Sequence, residues 1–198
     1  IDSPLSFDPK EAQKHYDKAK KELGIKNLTF TMNTEDTPDA KISAEYIKAQ
    51  VEKNLPGVTL KIKQLPFKQR VNREKTENYE ASYSGWGPDY PDPLTYLNIM
   101  TTGNGQNNTG WGSKEYDQLV KDANGKLLKK PEERNAAMIE AENLLLKDVP
   151  VAPIYQKGEA HLTNPQVKGL VYHQIGGDTS LKNVKIDKSI DRETGEKK

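Results

Sequence analysis

Cysteine is absent from all 198 residues. A disulfide framework, a thiolate metal site and a catalytic thiol are thereby excluded. Long apolar runs are missing as well, and mean hydropathy is −0.89, so no segment reads as a membrane-spanning helix. An excess of either charge is also lacking: 30 basic residues stand against 29 acidic ones, leaving +1. That balance removes the electrostatic case for nucleic acid or an anionic membrane as the main partner, and a neutral or zwitterionic ligand fits better. Histidine is scarce, and His15, His161 and His173 show no metal-binding spacing and no adjoining carboxylate cluster. His15 is expected on a charged helix surface, whereas His161 and His173 lie in extended segments and are open to a core or a site role. No metal and no cofactor is expected. The first residues, IDSPLSFDPKE, lack both a basic n-region and an apolar h-region. Together with the missing initial methionine, this leads us to expect a processed or excised piece whose export signal or anchor lies elsewhere.

What is present is periodicity. Asp8-Pro9-Lys10-Glu11 reads as a capping box with proline at the first helical position, and Ala12, Tyr16, Ala19 and Leu23 mark one face before Gly24 ends the helix. Leu28, Phe30 and Met32 alternate as a strand. Ala40, Ala44, Ile47, Val51 and Leu55 keep helical spacing until Pro56-Gly57, and Val58, Leu60 and Ile62 alternate again. Strand, helix and strand in this order predict a βαβ unit with a parallel sheet, so the fold class is α/β. A charged helix is expected over 67–79, followed by a third short strand in ASYSGW. Asp92 is predicted as the N-cap of a helix with Leu94, Leu97 and Met100 inward, and Thr101 to Gly112 as a mobile Gly/Asn/Thr loop. Two further helices are expected. Tyr116, Leu119, Val120, Ala123 and Leu127 line the first, capped by Ser113; Met138, Ala141, Leu145 and Val149 line the second, ended by Pro150. They are expected to form a hairpin packed on the sheet. VAPIYQKGEAHLTN reads as extended chain, GLVYHQI as a strand, and DKSIDRETGEKK as a frayed tail.

The stretch SGWGPDYPDPLTYLN, residues 84–98, stands apart from the rest. It follows the third strand, where loops leaving an open α/β sheet carry ligands. Trp86 is open to two readings, a ligand platform or a core ring. Asp89 likewise is a ligand carboxylate or a turn residue of a Gly-Pro-Asp loop. Asp92 is accounted for by capping, which weakens an acid/base pairing of Asp89 with Asp92. The glycines at 103, 105, 110 and 112 form no phosphate-binding pattern, and no GxSxG or Ser/His/Asp order points to a hydrolase.

At this stretch the sequence resembles the OppA-like extracytoplasmic oligopeptide-binding proteins of ABC importers, within solute-binding protein family 5. The Trp-x-x-Asp-Tyr-x-Asp-Pro pattern and the Tyr-Leu helix after it carry the resemblance, supported by LTFTMNT, AEYIKAQVEKNLPG, VTLKIK, SKEYDQLV to LLLKDVP, and APIYQKGEAHL. It implies a type II periplasmic-binding-protein-like lobe with a mixed sheet flanked by helices. Residues 1–175 then correspond to the second, C-terminal lobe of a two-lobed protein, and residues 176–198 to a segment returning toward a missing N-terminal lobe, with a charged tail. The implied function is capture of extended oligopeptides between two lobes and delivery to the membrane permease subunits, without catalysis. The implied location is the outer face of the cell membrane, as a Gram-positive type lipoprotein. Asp89 would pair with the peptide ammonium group, while Gly85, Trp86 and Gly87 offer backbone groups and a pocket wall. Enteric members carry an arginine three residues before this tryptophan, where it meets the carboxylate of a short peptide. Here Tyr83 stands at that ligand-lining position, so longer peptides are expected to be accepted. Other ligands found among relatives, nickel chelates, haem or sugars, remain the alternative within binding proteins. A carbohydrate-active enzyme using Asp89 and Asp92 is the alternative from another class.

Overall fold

The computed structural model describes residues 6–197. The first five residues, and Lys198 of the charged tail, lie outside the described residues.

Helix α1, Pro9–Leu23, begins where Asp8 accepts a hydrogen bond from the Glu11 amide at 2.9 Å, and it ends at Gly24 in the left-handed conformation. Only half of the expected capping box forms, because the Glu11 carboxylate turns to Lys14 instead. The predicted apolar face is corrected too. Tyr16 is buried, but Ala12 and Leu23 are exposed. One aromatic ring suffices for the contact, since the approach of Gly57 leaves room for the Tyr16 hydroxyl and Lys20 lies 4.6 Å over the ring.

Strand β1, Leu28–Glu35, runs parallel to β2, Val58–Leu65, with Leu28 opposite Val58 and Glu35 opposite Leu65. Between them lies α2, Pro38–Asn54, capped by the Thr37 hydroxyl. This is the βαβ unit read from the sequence. Side-chain alternation sends Phe30, Met32, Leu60 and Ile62 to one face, where Ala44, Ile47 and Val51 of α2 cover them. At the outer edge of β2, Glu52 accepts from the Leu60 amide at 3.0 Å and Lys48 donates to the Leu60 carbonyl at 2.7 Å. Edge groups that would otherwise template another strand are thereby occupied.

Helix α3, Phe67–Lys75, is shorter than the predicted span and closes at Thr76, with Glu77 at a positive φ of 52°. It leads to β3, Ala81–Ser82, which pairs parallel with β1 and completes the order β2-β1-β3. Before β3 begins, the Glu80 carboxylate accepts from the Thr31 amide at 2.9 Å, extending the ladder through a side chain. The main sheet is parallel throughout. Antiparallel pairing occurs, among the described residues, in two short ladders, β4 (Val167–Lys168) with β7 (Lys185–Ile186) and β5 (Val171–Tyr172) with β6 (Thr179–Ser180), and in an isolated bridge between Ile190 and Lys197. The strand expected in GLVYHQI thus shrinks to two residues. Residues 151–164 carry no helix or strand and are exposed throughout.

Helix α4, Leu94–Leu97, continues into a 3-10 turn, Asn98–Met100. Helices α5, Lys114–Ala123, and α6, Pro131–Asp148, form the expected hairpin. Its packing surface differs from expectation. Tyr116, Val120, Ala123, Met138 and Ala141 pack with Leu94, Leu97 and Met100, and this cluster shares no residue with the one on the sheet. The apolar residues of α4 lie directly in the chain before the hairpin, so they meet its inner face first. Val149, expected inward, is more than half exposed and takes a positive φ of 52°, because the helix has already ended at Asp148.

The loop predicted to be mobile is tied at several points. Asn107 donates to the carbonyls of Met100 and Trp111, Asn104 donates to that of Asn98, and Asp117 accepts from the Thr102 amide. Its Asn-rich composition supplies bonds to backbone that a glycine-rich linker could not make.

Tyr116 is fully buried and donates to the Leu97 carbonyl at 2.7 Å, and burial pushes its phenol far above the usual range. Replacing Tyr116 by Phe should therefore cost about 1–2 kcal/mol, since the carbonyl loses its partner in an apolar cluster. Urea denaturation would show it as a lower midpoint at unchanged slope.

Candidate ligand-binding loop

The loop of interest leaves the sheet at Tyr83, whose amide donates to the Asn33 carbonyl at 2.8 Å. A buried polar network holds this exit. Arg70, 4% exposed, pairs with Glu74 and reaches Glu35 at the end of β1 at 3.0 Å, while the Ser82 hydroxyl donates to the Glu74 carboxylate. The charged helix α3 thus turns Arg70 and Glu74 inward to lock the ends of β1 and β3. Tyr83 packs against the sheet cluster and shares a hydrogen bond with the Tyr155 hydroxyl at 3.1 Å. Burial raises its phenol, which stays protonated near neutral pH.

Beyond Tyr83 the chain is open to solvent. Ser84, Gly85, Trp86, Gly87 and Asp89 are all exposed, with Trp86 at 40%. That removes the core reading of Trp86. Trp111 is the more protected indole: it stacks edge-on to Tyr116 at 5.0 Å and donates to Asp148 at 3.1 Å. Gly85 and Gly87 are informative in another way. A Cβ added to either would meet nothing within 4 Å, and neither sits at a positive φ. Among the described residues, nothing requires glycine at these two positions.

The two aspartates differ sharply. Among the described residues, no hydrogen bond or ion pair engages the Asp89 carboxylate; its amide donates to the Thr95 hydroxyl at 2.9 Å. Asp92 is fully engaged. It accepts from the Leu94 amide at 3.0 Å, so it holds the start of α4 from one residue before Pro93, which takes the N-cap position expected of Asp92, and it accepts from Arg134 of α6 at 2.8–2.9 Å. A carboxylate so occupied is poorly placed to act as an acid or base partner for Asp89. A cavity of about 440 Å³ opens beside this pair, lined by Pro93, Leu128, Pro131 and Met138 among others.

Sequence reasoning did not single out Arg134, Thr95 or the Arg70 network. A signal for Arg134 was present, because it precedes Met138, Ala141 and Leu145 at spacings of four, three and four and so belongs to the inward face of α6. Thr95 had none, being one small polar residue among many. Among the described residues, no group of three or more His, Cys, Asp or Glu is placed to hold a metal ion, and no helix is long and apolar enough to cross a membrane. His15 is exposed as expected. His161 and His173 are exposed too, which removes their core reading, and His161 stacks on Tyr172 with ring centroids 4.1 Å apart.

The family model of the bacterial extracellular solute-binding proteins, family 5 Middle, matches residues 2–108, more than half of the chain and the whole of this loop. The chain belongs to this family. Family members similar to it include the dipeptide-binding protein DppE of Bacillus subtilis, 38% identical over 149 residues that cover 75% of this chain and 26% of DppE. The substrate-binding domain of an oligopeptide ABC transporter from Bacillus anthracis superimposes with a TM-score of 0.84 at 39% identity, over 92% of this chain and 35% of that one. OppA of Listeria monocytogenes bound to peptide gives 0.80 at 37% identity, over 92% and 34%. These neighbours share the type II periplasmic-binding-protein-like fold expected from the sequence. The chain spans 26%, 35% and 34% of the length of these three relatives.

Because the sequence has two tryptophans, the exposure difference is directly measurable. Iodide should quench one of two emission components, and Trp86→Phe should remove the quenchable one while leaving the Trp111 component intact.

Proposed function

We propose that this chain is the C-terminal lobe of a two-lobed peptide-binding component of an ABC importer, with residues 1–175 forming the lobe and residues 176–198 returning toward the N-terminal lobe. It captures extended oligopeptides and hands them to membrane permease subunits, without catalysis. In this reading the complete protein is held at the outer face of the membrane as a lipoprotein. The observation that carries the reading is the exposed loop at 85–89, where an unengaged Asp89 carboxylate follows two glycines that the chain itself does not need. A peptide supplies what both features lack. Its ammonium group makes a charge-assisted hydrogen bond with Asp89, roughly twice as strong as a neutral one. Its main chain approaches Gly85 and Gly87, where a side chain would stand in the way, and Trp86 walls a side-chain pocket. Main-chain bonding of this kind is independent of peptide sequence, which suits broad specificity. Tyr83, engaged with Tyr155, offers no cation to a peptide carboxylate, so peptide length is loosely read.

One lobe supplies one wall of the cleft, so the 198-residue chain alone should bind far more weakly than the complete natural protein. NMR titration of the chain with a pentapeptide library, and calorimetry on the complete protein, test the reading with free and N-acetylated termini. Shifts at Trp86 should need the free amine and vanish in Asp89→Ala. Gly87→Ala should weaken binding while leaving stability within about 0.5 kcal/mol. Equal responses to both libraries would reduce Asp89 to a turn residue and favour a non-peptide ligand; silence of the complete protein toward both would sink the peptide assignment.

A further inference from the structure

Asp89 lies in an exposed loop, yet its backbone is not free. Its amide donates to Thr95 Oγ1 at 2.9 Å, and Thr95 is 4% exposed within α4. The anchor is itself held firmly. The Thr95 amide donates to the Asp92 carbonyl at 3.0 Å, and the Asp92 carboxylate caps Leu94 and pairs with Arg134. Arg134 Nε in turn donates to the Ala123 carbonyl at the end of α5, at 2.8 Å. A path of hydrogen bonds therefore runs from the helical hairpin to the backbone of Asp89. Among the described residues, nothing comparable engages its carboxylate.

We infer that Thr95 is a positioning residue for recognition of the ligand's ammonium group: its buried hydroxyl holds the Asp89 backbone so that the carboxylate is presented before ligand arrives. This rests on the peptide-binding reading above. The physical reason is entropic. A carboxylate on a slack loop must be ordered as the ligand binds, and that ordering subtracts from affinity, whereas a loop already tied through its amide loses little more. Leu94 and Leu97, which flank Thr95, are buried in the hairpin cluster, so the hydroxyl stands on a packed element. Thr95 does not touch the ligand; it acts through Asp89.

The test uses the complete natural protein with Thr95→Val, which keeps the side-chain shape and removes the hydroxyl, Thr95→Ser, which keeps the hydroxyl, and Asp89→Ala as reference. Two quantities are read: the ratio of affinities for free and N-acetylated peptide, and hydrogen exchange at the Asp89 amide without ligand. Thr95→Val should speed exchange at Asp89 and lower the affinity ratio about fivefold, the usual worth of one hydrogen bond, with binding of the acetylated peptide unchanged. Thr95→Ser should restore both. If Asp89→Ala collapses the ratio and Thr95→Val leaves it untouched, the positioning role is wrong while the peptide reading stands. If Asp89→Ala itself leaves the ratio unchanged, the ammonium reading falls and the role of Thr95 falls with it. A Thr95→Val protein that loses affinity for both peptides equally would show a structural role only and would also overturn the inference.

Discussion

The ion pair between Asp92 and Arg134 is the interaction on which the arrangement of this chain turns. Among the described residues there are two apolar clusters with no residue in common, one between α2 and the sheet and one inside the hairpin with α4. The chain passes from the first to the second through residues 83–93, a stretch rich in glycine and proline with little burial. Apolar packing cannot fix such a stretch, so polar groups must. Asp92 and Arg134 do so at the far end, with side chains 28% and 17% exposed. At the near end the Arg70, Glu74, Glu35 and Ser82 network holds the strand exit. Partial burial makes each set unforgiving: removing one partner would leave a charge with little water to compensate it.

This division of labour explains why the candidate loop is both exposed and shaped. Its ends are held by charge, its middle by one hydroxyl at Thr95, and the groups left over are the ones a ligand can use. The Asp89 carboxylate, the backbone at Gly85 and Gly87 and one face of Trp86 all remain open. A loop that satisfied these groups internally would be more stable by itself and useless for capture. The family to which the chain belongs is one of solute-binding proteins, and an unsatisfied, pre-shaped loop suits that task.

Much of the fold was legible because it rests on local rules. The βαβ unit follows from alternation in 28–32 and 58–62 and from helical spacing between them, and the parallel register adds only detail. Caps at Asp8 and Ser113 are short-range bonds that a sequence announces directly. Errors arose wherever a segment's environment was made by distant residues. The spacing in α1 marks a face, but only Tyr16 finds cover. The hairpin has the right helices on an unexpected surface, since amphipathicity states that a face is buried and not against what.

The candidate site divides along the same line. Which residues stand out at 85–92 was decided by the sequence alone: a tryptophan between glycines after a strand, then two aspartates of unequal duty, one explained by an Asp-Pro helix start. What the sequence could not supply was the partner of each group. Only tertiary structure brings Arg134, forty-two residues downstream, to Asp92, while among the described residues no such partner reaches Asp89. Spacing encodes contacts within a turn or a strand, whereas pairing across such separations depends on how whole elements pack. The Asp-Pro start already set Asp92 apart from Asp89 in the sequence, and the hairpin adds the Arg134 partner that makes Asp92 a fastener.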